Sequence, residues 1–493
     1  MIKKIDKTKI TYIILAIITF LFFVCRISNI KTGKGMIILL SIVFFALLLL
    51  GYFLISKFSR LKIETLFLIF SITFGIFYIF GFPPSQLPDD SSDYFRSLEV
   101  SEFHLTTPKK DKVYGRSYSV NVEKVYSSKS YSDVISNMNM KLEGKKKLYT
   151  YTNKSLYSFV CYIPQAIGVG IANILKLPIV FQILLGKIFN FSFYVLAIYL
   201  AIKYIPVKKE LIFFMSLLPI SMQEATSLSA DSMTIWATFS LFAFTMWSKI
   251  KEIKFTKRHY IILSLLLLFI SLSKIVYLPL CFLILLIPTS CFKSKKQKII
   301  YCCFVLFVSI LFNMIWLKIS APYLDQFMSS RKSNSSDQLM YIISNPLEYV
   351  LILFNTVDKF LFTYSEQMIG YSLGAWTVNT SYIFAAVSLI MLLYMVVKNN
   401  RKVFLLNNYE KIFSFLILIG TTLLIFTSLY LQWTELRAHF VDGIQGRYFI
   451  PLIPIVSLLF MTKNDEEKIN FCSLMIVIMF NIVALISIYR VYL

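Results

Sequence analysis

Four short clusters hold most of the side chains able to do chemistry in an otherwise apolar chain. The first is Pro88-Asp89-Asp90-Ser91-Ser92-Asp93-Tyr94-Phe95-Arg96. If Pro88 opens a helix, Asp89, Asp93 and Arg96 share one face at spacings of four and seven. Neighbouring carboxylates beside a cation suit a general base that must stay ionised near neutral pH. The plainer alternative is an acidic first turn that only stabilises the helix dipole. The second cluster is Asp442-Gly443-Ile444-Gln445-Gly446-Arg447-Tyr448-Phe449-Ile450-Pro451. Its glycines would let backbone approach a ligand, and Arg447 suits a two-pronged grip on a phosphate. Against that stands an arginine snorkelling beside an interfacial tyrosine. Lys274, between two short apolar stretches, could neutralise another phosphate oxygen or simply snorkel. Glu224 and Asp231 bound a polar tip, and are either hydrated loop acids or part of a substrate site.

Other chemistries are poorly represented. The seven cysteines lie in or beside apolar stretches, with no zinc-ligand spacing. His104, His259 and His439 are too far apart in sequence to suggest a His-rich metal site, and His104 and His439 read as surface residues. No Gly-rich phosphate loop occurs.

The elements that must position these clusters are membrane spans. The chain has 493 residues, 57% hydrophobic and 15% charged, with a mean hydropathy of +0.70. Soluble domains carry about 25% charged residues, so a water-soluble enzyme is excluded. The formal charge of +24 is a matter of topology. Of the 50 basic residues, 25 fall in the segments 1–9, 57–62, 203–209, 249–258, 293–298, 398–411 and 463–468. The apolar stretches between them put all seven on one side, which the positive-inside rule makes cytoplasmic. No nucleic-acid partner is implied.

This reading gives an all-α polytopic membrane protein with about 13 spans of roughly 20 residues. Three N-terminal spans (10–29, 36–56, 62–82, the first retained as a helix) occupy 1–82. Residues 83–177 form an extracytoplasmic loop ending in an interfacial or re-entrant segment at 156–176. A core over 178–319 holds spans at 178–204, 210–225, 229–248, 259–273, 275–291 and 299–319. A second outer segment, 320–378, contains an amphipathic stretch near 347–364. Spans 379–397, 410–431, 448–462 and 469–489 complete 379–493, placing the N-terminus inside and the C-terminus outside. Polar side chains then crowd the outer boundary, whereas the inner loops are short and basic.

Taken in order, the clusters resemble the bacterial membrane family known as domain of unknown function 2142, grouped with the GT-C superfamily of lipid-phosphate-sugar glycosyltransferases. The family pattern P-P-D-E-x-x-H-x-x-R is similar to Leu87-Pro88-Asp89-Asp90-Ser91-Ser92-Asp93-Tyr94-Phe95-Arg96. Tyr162-Ile163-Pro164-Gln165-Ala166-Ile167-Gly168 matches Y-x-P-Q-x-x-G, and Ser227-Leu228-Ser229-Ala230-Asp231 matches S-x-S-x-D. Lys274-Ile275-Val276-Tyr277-Leu278-Pro279 and Gln445-Gly446-Arg447-Tyr448 fit the later elements. Two departures stand out: Asp90 replaces the family's glutamate and Asp93 its histidine, which leaves the identity of the working carboxylate open.

The resemblance implies a GT-C-like fold in the bacterial plasma membrane and an inverting glycosyltransferase. The donor would be a polyprenyl-phosphate-linked sugar, and the acceptor a cell-envelope glycan such as a cell-wall polysaccharide, a teichoic acid or a lipid-linked glycan. Asp89 would be the base, with Asp90 as alternate or partner. Arg447, with Lys274 or Arg96, would receive the donor phosphate. Asp93, Glu224, Asp231, Gln445 and Tyr448 would line the substrate or acceptor site. No cofactor is required, although Asp89, Asp90 and Asp93 could hold a divalent metal. The competing readings are a lipid-linked saccharide flippase, a polysaccharide ligase or polymerase, and a polymer-binding assembly protein.

Overall fold

The computed structural model describes residues 61–110, 112–330, 334–398, 405–461 and 469–493. The spans expected at 10–29 and 36–56 lie outside the described residues. Helices dominate the rest, and the strands form only two-stranded antiparallel pairs.

Among the described residues five helices are long and apolar enough to cross a membrane: α1 (Ile63–Gly81), α4 (Ile179–Tyr204), α9 (Lys295–Ser330), α13 (Asn408–Gln432) and α14 (Phe471–Tyr492). A sixth candidate is a bent pair, α10 (Ser335–Ser344) and α11 (Pro346–Ile369), angled by 107° at Asn345. Between α1 and α4 lie α2 (Asp90–Ser101) and α3 (Ile163–Ile174). Between α4 and α9 come α5 (Lys209–Ser216), α6 (Pro219–Ala225), α7 (Asp231–Lys251) and α8 (Lys257–Ser273); α12 (Tyr382–Val397) precedes α13.

The spans expected at 229–248 and 259–273 are the continuous helices α7 and α8, whereas several others are broken for a local reason. Residues 210–225 divide into α5 and α6 at Pro219, which has no amide to continue a helix. Residues 275–286 wind as a 3-10 helix containing Pro279. The segment expected at 448–462 begins as a 3-10 helix, Gly446–Leu452, and has only a short α-helix after Pro451 and Pro454. Proline leaves carbonyls unpaired, and tight turns place such irregular backbone against other protein.

Apolar residues point outward as well as inward, as expected where lipid is the solvent. On α1, Ile72, Ile76 and Phe80 are exposed while Phe67, Phe70, Phe74 and Tyr78 are buried. On α9, Phe304, Phe307 and Met314 are exposed. By contrast α14 is enclosed, and Asn481 ties it inward, accepting from Tyr78 Oη at 3.1 Å and donating to Leu217 O at 2.7 Å.

The 83–155 segment is a folded unit. Its strands are β1 (Lys109–Lys110), β2 (Val113–Tyr114), β3 (Arg116–Ser119) and β4 (Lys146–Tyr149), paired β1–β2 and β3–β4. A separate aromatic core gathers under α2, where Phe95 stacks on Tyr149, Tyr118 and Tyr151 at 4.6, 5.5 and 5.7 Å. The unit is also fastened to the end of α9. Tyr323 Oη bonds both the amide and the carbonyl of Thr107, and the Gln326 amide bonds both backbone groups of Tyr114. The last strands are β5 (Ser372–Leu373) and β6 (Val378–Asn379), a small hairpin after α11.

Candidate functional site

Asp89 immediately precedes α2, with a left-handed φ of +57° that swings its carboxylate off the helix axis. Lys154, from the end of the folded loop, reaches between Asp89 and Asp93, with Nζ–O distances of 3.2 and 3.3 Å. Asn153 Nδ2 also donates to Asp89, at 3.3 Å. Asp93 is buried and accepts from Tyr162 Oη at 2.8 Å. Asp90 turns elsewhere and accepts from the Ser85 amide at 3.0 Å. Its other oxygen is buried without a partner.

These surroundings give the three acids different proton affinities. Lys154 holds the Asp89 carboxyl below its usual range, and the side chain keeps 42% of its surface exposed. Burial pushes Asp93 up to about 7, against the pull of Lys154. Burial likewise raises Asp90. Lys154 is raised because Asp93 and Asp89 together outweigh its own burial. Asp89 is therefore the accessible, ionised member of the set.

The cations form a second knot. Arg447 Nη1 donates to Glu224 at 3.2 Å, and its Nε lies 2.8 Å from Asp231. Asp231, the first residue of α7, is also ion-paired with Lys274. The Lys274 ammonium rests 4.4 Å from the Tyr448 ring centroid and 5.3 Å from that of Tyr157. A shared carboxylate thus fixes the two cations relative to each other. The knot borders the acidic set, because Glu224 and Arg447 line one small gap together with Asp90 and Asp93.

The motif elements between these groups align them. Gln165 Nε2 donates to Ser229 O at 3.0 Å and Asn190 Nδ2 to Ser227 O at 2.9 Å, fastening the loop before Asp231 to α3 and α4. A Cβ at Gly168 would stand 2.3 Å from Leu185 O, so glycine is required for α3 to lie against α4.

Several expectations need correction. Arg96 does not join the phosphate-binding group: it is fully buried, ion-paired with Glu99, and donates to Leu105 O at 2.9 Å. It does not share the Asp89–Asp93 face, because the helix begins at Asp90 and Asp89 lies outside it. The acid trio is a poor metal cage, since the Lys154 ammonium sits between two of its members. Among the described residues no group of three or more His, Cys, Asp or Glu side chains could hold a metal ion. Gly446 serves packing: a Cβ there would fall 2.1 Å from Tyr364 O and 2.5 Å from Met368 N of α11. Gly446→Ala should accordingly destabilise the fold by about 1–3 kcal/mol. A lowered thermal unfolding midpoint of the purified protein would show this, and an unchanged midpoint would refute the close approach.

Arg447 is not a snorkelling side chain, since it is largely buried and held by two carboxylates. Gln445 lies beside it with a buried, unpartnered Oε1. Tyr448 supplies the ring beneath Lys274, and Tyr277 Oη fixes its backbone by donating to Tyr448 O at 2.9 Å. Sequence reasoning missed Lys154, one of twelve basic residues in 83–155 with nothing local to single it out. Tyr162 was visible only as part of a motif.

One cavity bears on what these groups could receive. It encloses about 310 Å³ between α9, α13 and the 275–286 segment, and is walled mainly by apolar side chains such as Trp316, Leu324, Ile425 and Leu429. Lys274, Tyr157 and Tyr448 line it as well. Long apolar helices around a paired acid–cation site define an integral membrane protein with a buried polar centre. The model of the family described as "Predicted membrane protein (DUF2142)" matches residues 68–456, and the chain belongs to that family. No curated protein and no solved structure gives a significant match.

Proposed function

We propose that this chain is an integral-membrane glycosyltransferase of GT-C type, moving a sugar from a polyprenyl-phosphate donor to a cell-envelope glycan on the extracytoplasmic face of a bacterial plasma membrane. The observation that carries this reading is the position of Lys274. It lines an apolar cavity on one side and, through Asp231, is tied to Arg447 and the acidic set on the other. A lipid phosphate has that same division, an apolar chain ending in an anion. Pockets that take such ligands are mostly apolar with a few convergent polar groups.

In the proposed reaction Asp89 accepts the proton of an acceptor hydroxyl, whose oxygen attacks the anomeric carbon of the donor sugar. The bond from that carbon to the phosphate oxygen breaks, and its electron pair leaves with the lipid phosphate. The configuration at the anomeric carbon inverts. Lys274 and Arg447 stabilise the charge gathering on the departing phosphate. Arg447 keeps N–H donors beyond those turned to Glu224 and Asp231. No step needs a metal.

This reading requires the folded loop to face outward. A cysteine introduced at the exposed Ser127, in a background lacking the native cysteines, should react with an impermeant maleimide in intact cells. Protection until lysis would reverse the orientation and remove the proposal. A flippase would instead move lipid-linked saccharide between leaflets of vesicles without forming a new glycosidic bond. Product analysis with purified protein separates the two.

A further inference from the structure

Arg447 also borders a shallow cleft, separate from the cavity lined by Lys274, whose other walls include Trp376, Gln223, Gln367, Gln445 and Ser372. We propose that this cleft is a saccharide subsite, taking a neutral sugar ring of the acceptor glycan; the assignment to the acceptor rests on the glycosyltransferase reading above.

Trp376 supplies the first argument. Its side chain is 52% exposed, and its φ of +61° is one that bulky residues rarely adopt. The hairpin turn that presents it is pinned on several sides. The Gly374 amide donates to Gln223 Oε1 at 2.6 Å and the Ala375 amide to Gln86 O at 2.8 Å, while the Thr377 and Tyr492 hydroxyls are 2.7 Å apart. An exposed indole on a rigid mount is a preorganised platform, and little freedom remains to be lost when a ring settles on it.

The amides supply the second. Gln367 Oε1 accepts from the Gly446 amide at 2.8 Å, which fixes the side chain and leaves its NH₂ group without a partner among the described residues. Gln445 Oε1 is buried and unpartnered, a condition few native polar atoms tolerate without a ligand or water. A free amide donor and a free amide acceptor beside an aromatic face match a sugar ring, whose hydroxyls both donate and accept and whose C–H face is apolar.

Charge narrows the ligand class. Among the described residues Arg447 is the sole ionised side chain bordering this cleft, and it is paired with Glu224 and Asp231. The rest of the lining is neutral, so only Arg447, assigned above to the donor phosphate, could draw a charged ligand, and an uncharged one fits the other groups. The enclosed space is only about 20 Å³, so a ring would lie across the open mouth against Trp376 and would not enter a chamber.

The test is ligand-observed saturation-transfer NMR on the purified full chain in nanodiscs. The probes are methyl glycosides of glucose, galactose, N-acetylglucosamine and N-acetylgalactosamine. At least one should receive saturation on its ring protons, with affinity falling roughly ten-fold in Trp376→Ala and less in Trp376→Phe. Gln445→Ala should weaken the same glycoside, and serves as the second variant if Trp376→Ala does not fold. Absence of binding by all four glycosides, or binding indifferent to Trp376 and Gln445, would overturn the subsite. Trp376-dependent binding in a protein that forms no glycosidic product would leave the subsite standing and remove the glycosyltransferase reading. Transfer with acceptor KM unchanged in Trp376→Ala would do the reverse.

Discussion

If the proposed glycosyltransferase reading holds, Asp89→Asn should abolish glycosyl transfer while expression and donor binding stay near wild type. The substitution keeps the size and planarity of the side chain and removes only the charge that receives the proton. Loss of a positioned general base commonly costs about a hundred- to ten-thousand-fold. Asp90→Asn is the sharper control, because Asp90 is buried and bonded to the Ser85 amide, whereas Asp89 is accessible. If Asp89→Asn stays within a few-fold of wild type and Asp90→Asn is dead, the base is one residue further along. If both remain active, the base assignment fails. The pH profile gives an independent reading. Lys154 holds Asp89 ionised below the usual carboxylate range, so turnover should persist as pH falls and drop only when Asp89 takes up a proton. Lys154→Gln removes the main cause of that depression and should move the acidic limb to higher pH. An unmoved limb would mean that another group controls it.

Arg447→Ala should reduce turnover about a hundred- to a thousand-fold, the usual loss when a donor to developing transition-state charge is removed. In the proposed reaction the phosphate becomes more negative as the glycosidic bond breaks, so the contact would strengthen toward the transition state. Arg447→Lys should be impaired too, though less. A lysine keeps the charge, but one ammonium lacks the fork that serves Glu224 and Asp231 while still facing a ligand. Removal of Arg447 also leaves two buried carboxylates with Lys274 as their remaining cation, so the unfolding midpoint must be measured with the turnover. Wild-type turnover and donor affinity in Arg447→Lys would take Arg447 out of the phosphate site.

The spacing of residues reveals only part of this arrangement. Apolar runs and their basic flanks identify a multi-span helical protein, and α1, α4, α13 and α14 lie close to their expected positions. Helix length is harder to read, because Pro219, Pro279 and Pro451 interrupt stretches whose hydropathy alone suggests whole spans. In the site, the clustering of Asp89 with Asp93 is visible at a spacing of four, yet their shared cation comes from a loop about sixty residues away. Arg447 and Glu224 are 223 residues apart, and no periodicity connects them. Arg96 shows the opposite failure: its spacing from Asp89 and Asp93 suggests a shared face, but the closer Glu99 captures it in the interior.

The knot of Glu224, Asp231, Lys274 and Arg447 also constrains how the protein is made. A chain inserted in order of synthesis delivers both carboxylates first, then Lys274, and Arg447 only late. Until then the growing bundle carries an uncompensated negative charge at a position where burying one is costly. The early helices therefore gain their final packing only once the segment bearing Arg447 has arrived. Chains truncated before it should therefore be degraded faster than the full chain, which pulse-chase labelling would show.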